Sequence, residues 1–234
     1  MRVREIWRYP VKSLHGERVD AVDITDQGVH GDRRFAIFDR STGLGLTGRR
    51  FPQLLFASAT FTDDGGVRIT LPDGSAAADD RGLSTWLGRP VELRGTAETD
   101  RRYENPGDFE HDSEWQLFSG APGAFHDSAR ARVSLLSSAT IGRWAPQRFR
   151  ANLLLDGAGE DDLVGHQLAV GAARLDVIKP IDRCVMVTRP QPGGIERDIE
   201  VLRTIHRERK GYLAVGATVV TAGQVSLGDA LVVT

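Results

Sequence analysis

Short runs of β-branched and aromatic residues, each closed by a turn former, recur along most of the chain and demand a fold built mainly from strands. Val19 to Ile24, Phe35 to Phe38, Leu54 to Ala57 and Val67 to Leu71 read as strands, with Asp39-Arg40-Ser41-Thr42-Gly43 and Pro72-Asp73-Gly74 as turns. A short helix at Leu83 to Leu87 and a strand at Val91 to Leu93 follow. The second half resumes with a strand at Arg132 to Leu136, a short helix ending near Trp144, and strands at Asn152 to Leu155, Gln167 to Val170, Arg174 to Ile178 and Val185 to Thr188. Asp198 to Lys210 is the clearest helix: Ile199, Leu202 and Ile205 recur three apart, basic residues fill the last turn and Gly211 stops it. Strands at Leu213 to Val219 and Ala230 to Val233 close the chain. The expected fold is mainly β, barrel-like, with a few packed helices.

Between about Gly95 and Arg130 the pattern lapses. That stretch is polar and broken by Asn105-Pro106-Gly107-Asp108 and Gly120-Ala121-Pro122-Gly123, so a connecting or lid segment is expected over 96–130. The remainder divides into 1–95 and 131–234. With 234 residues, either one large β-rich domain or two smaller ones can bury a core. A formal charge of −2 gives no reason to expect nucleic acid or an anionic membrane as partner. Met1-Arg2-Val3-Arg4-Glu5 has no apolar signal region, and no run approaches the roughly 18 apolar residues of a membrane helix. The cytoplasm is the simplest compartment.

Cys184 is the single cysteine, placed directly after Arg183. It excludes an internal disulfide and leaves three roles: core filler, nucleophile, or ligand to a soft metal. Gly43-Leu44-Gly45-Leu46-Thr47-Gly48 carries the letters of a dinucleotide fingerprint, but Arg49-Arg50-Phe51-Pro52 stands where a phosphate-binding helix has to begin. A hairpin turn is expected instead. His15, His30, His111, His126, His166 and His206 show no zinc spacing. His126-Asp127 suits an oriented imidazole as well as an idle surface pair. The residues left over share one chemistry. Lys12 and Ser13 follow Tyr9-Pro10-Val11, Arg33 lies in Gly31-Asp32-Arg33-Arg34-Phe35, and Phe149-Arg150-Ala151-Asn152 sets an arginine and an amide on one face of a strand. Arginine forks and lysine ammonium groups suit phosphate, and asparagine suits the edge of a heterocycle. Singly each is a surface ion-pair partner; jointly they suit a phosphorylated, pterin-like ligand.

In chain order, Tyr9-Pro10-Val11-Lys12-Ser13, Asp32-Arg33, Leu46-Thr47-Gly48-Arg49-Arg50-Phe51-Pro52-Gln53-Leu54, Phe149-Arg150-Ala151-Asn152 and Arg183-Cys184 resemble the MOSC proteins, named for the molybdenum cofactor sulfurase C-terminal domain. The first three blocks resemble the β-barrel domain that precedes MOSC, over 1–95, and the last two resemble MOSC itself, over 131–234. Members similar to this chain include the mitochondrial amidoxime-reducing component and its bacterial relatives. The resemblance implies a bound molybdenum cofactor (molybdopterin) and an oxidoreductase acting on small N-hydroxylated or N-oxide compounds. It implies Cys184 as the catalytic protein thiolate on molybdenum. It places Lys12, Ser13, Arg33, Arg150 and Asn152 around the pterin and its phosphate, with Ser138 and Thr140 near a serine-rich contact loop. Arg183 and its neighbouring cations are expected to favour the charged sulfur, and Asp182 is expected to turn towards Arg183 or Lys179. One cysteine cannot hold an iron–sulfur cluster, which takes about four thiolates. The expected partner is therefore a separate electron-donor redox protein, a flavoprotein or an iron–sulfur protein. Two other readings stay open: a molybdenum cofactor or sulfur carrier without turnover, and a non-catalytic barrel whose cysteine is merely buried.

Overall fold

The computed structural model describes residues 1–97, 101–106 and 115–234. His111 and the Gly107-Asp108 part of the expected breaker lie outside them. Strands dominate, as the recurrence of short β-branched runs requires, and among the described residues the apolar side chains form four clusters; two of these, linked by the chain just after Arg8, set the seam. The larger is built on an eight-stranded sheet in the order Leu231–Val233, Gln167–Val170, Ala173–Asp182, Tyr212–Thr221, Val133–Ser137, Leu153–Leu155, Val3–Arg8, Glu17–Val19. Val133–Ser137 runs parallel to Leu153–Leu155, while Val3–Arg8 pairs antiparallel with Leu153–Leu155 and places Ile6 opposite Leu153. The opening strand therefore belongs to the sheet of the second half.

Gly223–Ser226 reaches back in the same way and pairs with Ala21–Thr25. Val3, Ile6, Val22, Ile24 and Val29 consequently share one apolar core with Val133, Leu153, Leu175 and Val215. Each fully buried side chain of this size stabilises the fold by about 1.5–3 kcal/mol. The smaller core gathers Val11, Leu14, Ile37, Leu54, Leu83 and Val91. Phe35–Asp39 pairs there with Val91–Gly95, beneath the helix Asp80–Leu87. Asp79 caps that helix by accepting from the Gly82 amide, and Gly88 ends it in the left-handed conformation at φ 65°. The chain crosses between the cores just after Arg8, so Lys12 and Ser13 emerge at their seam.

Two expected strands are corrected. Leu54–Ala57 lies mostly in a 3-10 helix, Pro52–Phe56, because Pro52 presets a helical φ at its start and Leu54 and Leu55 both find the core. Val185–Thr188 is also a 3-10 helix, beginning directly after Cys184. Its β-branched residues fit a strand locally, but the Thr188 hydroxyl donates to the Val185 carbonyl at 2.8 Å and Arg148 donates to the Val187 and Arg189 carbonyls at 3.1 and 3.2 Å. Tertiary contacts override the local preference. The longest described helix, Ile199–Arg209, is capped by Asp198 and buries Val201, Leu202 and Ile205, while Ile199 faces out.

The described parts of the connecting segment carry more regular structure than their polarity suggests. Arg102–Pro106 and Trp115–Ser119 pair as antiparallel strands. Tyr103 stacks on Phe118 with ring centroids 5.4 Å apart, and Phe38 and Phe125 complete a small aromatic core. Gly45 belongs to this packing. A Cβ there would sit 2.2 Å from the Tyr103 ring, which accounts for a glycine in the Gly43–Gly48 stretch without any dinucleotide. That stretch is the expected hairpin turn: the Asp39 amide donates to the Leu44 carbonyl and the Leu46 amide to the Ile37 carbonyl.

Candidate functional site

At the seam lies a cleft of about 340 Å³ that brings together Lys12, Ser13, Arg33, Arg150, Asn152 and Cys184. Ser138 and Thr140 do not reach it. They sit on the short helix Ser138–Ile141, where the Thr140 hydroxyl donates to the buried carboxylate of Glu160 at 2.8 Å. The Ser137–Thr140 loop is tied to that acid instead of facing the cleft.

Backbone conformation sets the cleft's shape. Among the described residues five non-glycines have positive φ, and three of them line the cleft: Ser13 at 70°, Arg33 at 49° and Arg150 at 52°. Such left-handed conformations cost about 1 kcal/mol or more each and persist where surrounding packing enforces them, most often at functional sites. The enforcing contacts are visible. The Ser13 hydroxyl accepts from the Gly48 amide at 2.9 Å, and the Arg33 amide donates to the Tyr9 carbonyl at 2.7 Å. Arg150 was expected on a strand; the left-handed turn instead aims its guanidinium under Tyr9, 4.3 Å from the ring centroid, with Nη1 on the Leu14 carbonyl at 2.7 Å. Asn152 is a pin. Its Oδ1 accepts from the Ser134 amide and hydroxyl at 3.1 and 2.9 Å, and its Nδ2 donates to the Trp7 carbonyl at 3.3 Å.

Cys184 ends the strand run of Ala173–Asp182 in extended conformation and is partly exposed, so its sulfur is not sealed in hydrocarbon. The cation touching it is Arg49, whose Nε donates to Sγ at 3.2 Å. Arg183, the expected neighbour, makes its hydrogen bonds elsewhere, Nε to the Leu213 carbonyl at 2.7 Å and Nη1 to the Phe149 carbonyl at 2.8 Å, but still interacts electrostatically with the Cys184 sulfur. Asp182 does act on Arg183, and on Arg49 as well. Asp127 completes the group. Its Oδ1 accepts from Lys12 Nζ at 2.5 Å, and its Oδ2 lies 3.7 Å from Arg49 Nη2. Arg49 and Asp127 are thus site residues that sequence reasoning passed over. Each stood in a stretch already singled out, Arg49 in the Leu46–Leu54 block and Asp127 in the His126-Asp127 pair, without a reason to prefer it.

The electrostatics favour an anion. Among the described residues eight lysine and arginine side chains line the cleft against two carboxylates. Burial alone would weaken the charge of Arg49, but the Cys184 sulfur and then Asp127 overcome it and raise its pKa. Crowding by protein atoms on its inner side works against the Asp127 carboxylate, whose outer side is open, yet Lys12 and then Arg49 hold it well below the usual range. Lys12 is lowered by burial despite Asp127. Arg150 and Arg183 are pushed down to about 10, chiefly by burial. In both, Nη2 is buried without a partner among the described residues. A buried guanidinium nitrogen with no acceptor is costly unless a ligand supplies one. His126, also in the cleft, is pushed down to about 4 by burial and then by Arg33.

The fold and this site define a class: a β-rich protein of two joined cores whose seam holds a cationic cleft with one thiol. Residues 1–104 match the MOSC N-terminal beta barrel domain and residues 123–232 match the MOSC domain, so the chain belongs to the MOSC-domain proteins that carry that N-terminal barrel. It is 29% identical over 246 residues to the molybdenum cofactor sulfurase of Drosophila willistoni, covering 92% of this chain and 30% of that protein. It is 42% identical over 65 residues to mitochondrial amidoxime reducing component 2 of Bos taurus, covering 26% of this chain and 19% of that protein. The chain thus spans about 30% of the length of the sulfurases it matches. Among solved structures, the YuaD protein of Bacillus subtilis superposes with a TM-score of 0.46 at 13% identity, over 98% of this chain and 93% of that one. No described helix is long and apolar enough to cross a membrane.

Proposed function

We propose that the seam cleft binds molybdenum cofactor (molybdopterin) and that the protein is an oxidoreductase for small N-hydroxylated or N-oxide compounds. The observation that carries this reading is a partly exposed sulfur held by Arg49 in the same cleft as two buried guanidinium nitrogens that lack acceptors. A thiolate suits a soft metal centre, and arginine forks suit phosphate oxygens. Cys184 is the residue to hold the metal, while Lys12, Ser13, Arg33 and Arg150 line the space for the pterin and its phosphate. When bound, such a cofactor supplies two-electron oxygen-atom exchange with the substrate. This chain's residues bind, orient and tune charge: Arg49 stabilises negative charge on Sγ, Asn152 fixes the Trp7 and Ser134 backbones, and the left-handed turns at Arg33 and Arg150 aim cations inward. A single cysteine cannot hold an iron–sulfur cluster, so electrons come from a donor outside this chain, a flavoprotein or an iron–sulfur protein.

Elemental analysis with pterin detection, on protein from a cofactor-producing host, tests the binding. Molybdenum near one per chain and amidoxime reduction with an artificial electron donor are expected, and both are lost in Cys184→Ala. Full metal content and full activity in that variant overturn the assignment. A second reading, a cofactor or sulfur carrier without turnover, is favoured by the span of the sulfurase match, 92% of this chain against 26% for the amidoxime reducing component. Exchangeable cofactor with no turnover of any N-hydroxylated compound selects it.

A further inference from the structure

We infer that Asp127 is an internal counter-anion that competes with incoming anionic ligands for Lys12 and Arg49, so that engaging those two cations requires the carboxylate to swing away. The inference rests on the cleft being an anion site, as proposed above, and leaves the identity of the anion open. Its basis is geometric. Asp127 contacts Lys12 at 2.5 Å and lies 3.7 Å from Arg49, yet its side chain is 62% exposed while theirs are 8% and 16% exposed. The carboxylate stands on the open side and the cations behind it. An approaching phosphate meets the acid first.

The chain around Asp127 is anchored on both sides. The Phe125 amide donates to the Arg33 carbonyl at 2.7 Å, the Phe125 ring is buried, and the Phe125 carbonyl accepts from Lys12 Nζ at 3.2 Å. Beyond it the Ser128 hydroxyl accepts from the Arg130 and Ala131 amides at 3.3 and 3.0 Å. The backbone is thereby held while the carboxylate turns about its own side-chain torsions. Lys12 keeps the Phe125 carbonyl when the acid leaves and does not become an unbonded buried cation. Arg49 keeps the Cys184 sulfur. Both cations are therefore already positioned for a second anion, and removing the competing charge strengthens their pull on it.

The test titrates the full-length protein with inorganic pyrophosphate at low ionic strength, by calorimetry, in wild type, Asp127→Asn and Asp127→Glu. The asparagine variant is expected to bind about tenfold more tightly, since one opposing charge a few ångströms from the anion is gone. The glutamate variant, which keeps the charge, is expected within about threefold of wild type on the same grounds. Equal or weaker binding in Asp127→Asn, or no pyrophosphate binding to any of the three, overturns the proposal. Urea unfolding checks that each variant is folded. Should Asp127→Asn not fold, Asp127→Ala carries the same expectation, and failure of both makes Asp127 a structural group and ends the idea. Molybdenum and pterin content separate the two claims. Cofactor-loaded wild type with no gain in Asp127→Asn sinks only this inference. Cofactor-free wild type with the tenfold gain sinks only the cofactor assignment.

Discussion

The two walls of the cleft hold their cations by different means. On the wall from the first half, Arg33 faces the fully buried carboxylate of Asp32, and Lys12 and Arg49 face Asp127. On the wall from the second half, Arg150 and Arg183 are held by the carbonyls of Leu14, Phe149 and Leu213. The consequence is legible in their protonation. Although burial opposes it, Asp32 raises Arg33, and the sulfur and Asp127 raise Arg49, whereas Arg150 and Arg183 fall to about 10; Lys12 is the exception on the first wall, lowered by burial despite Asp127. A carbonyl dipole fixes a guanidinium in place without neutralising it. Among the described residues the second wall thus has no carboxylate in direct contact with its two guanidinium groups and keeps more of its positive field for an anion to meet, while the first releases its field only as its own carboxylates give way.

The sharpest way to break this contrast is Arg33→Met. It strands the Asp32 carboxylate, which also accepts from the Tyr9 amide, and should cost about 3–5 kcal/mol of folding stability in urea titrations. A loss under about 1 kcal/mol refutes charge compensation as what holds that wall. Acidification is the next largest lever. His126 is depressed to about 4 in the folded state, so the unfolded chain takes its proton first, and stability falls as pH drops from about 6.5 towards 4. The loss should approach roughly 3 kcal/mol, saturating below that range, with no contribution at pH 7, and His126→Gln should flatten that part of the profile. Arg150→Met sharpens the comparison from the other wall. Removing a buried cation that has no described carboxylate in direct contact should change stability by no more than about 1 kcal/mol while weakening pyrophosphate binding about 30-fold. Smallest of all, Arg49→Gln should alter stability by less than about 1 kcal/mol, because its carboxylate partner is largely open to solvent.

The contrast also explains what was legible in the sequence. Lys12, Ser13, Arg33, Arg150, Asn152 and Cys184 stood out because each sits in a short block, and the blocks meet at one seam. Arg49 and Asp127 did not, since an arginine beside another arginine and an acid beside a histidine look the same on any exposed loop. Only the crossing of the chain between two cores places one on the sulfur and the other on Lys12. Ser138 and Thr140 shared the right chemistry, but Glu160, buried and twenty residues past Thr140, claims the threonine hydroxyl. Strand periodicity recovered most of the sheet and failed at Leu54–Ala57 and Val185–Thr188, where Pro52 and Arg148 impose helical turns that apolar spacing cannot report. The aromatic packing of Tyr103 with Phe38 was hidden for the same reason, since the partners lie far apart along the chain.

The place of Val3–Arg8 in the large sheet also dictates an order of events at the ribosome. Its partner strand ends at Leu155, and Ala21–Thr25 waits longer still for Gly223–Ser226. At about 5–20 residues per second, Val3–Arg8 spends on the order of ten seconds in the nascent polypeptide with Glu17–Val19 beside it but without Leu153–Leu155. Arg33 and Arg150 cannot face each other until the strands around Leu153–Leu155 have emerged. Whatever the seam accommodates is therefore taken up only once both of its walls have been made.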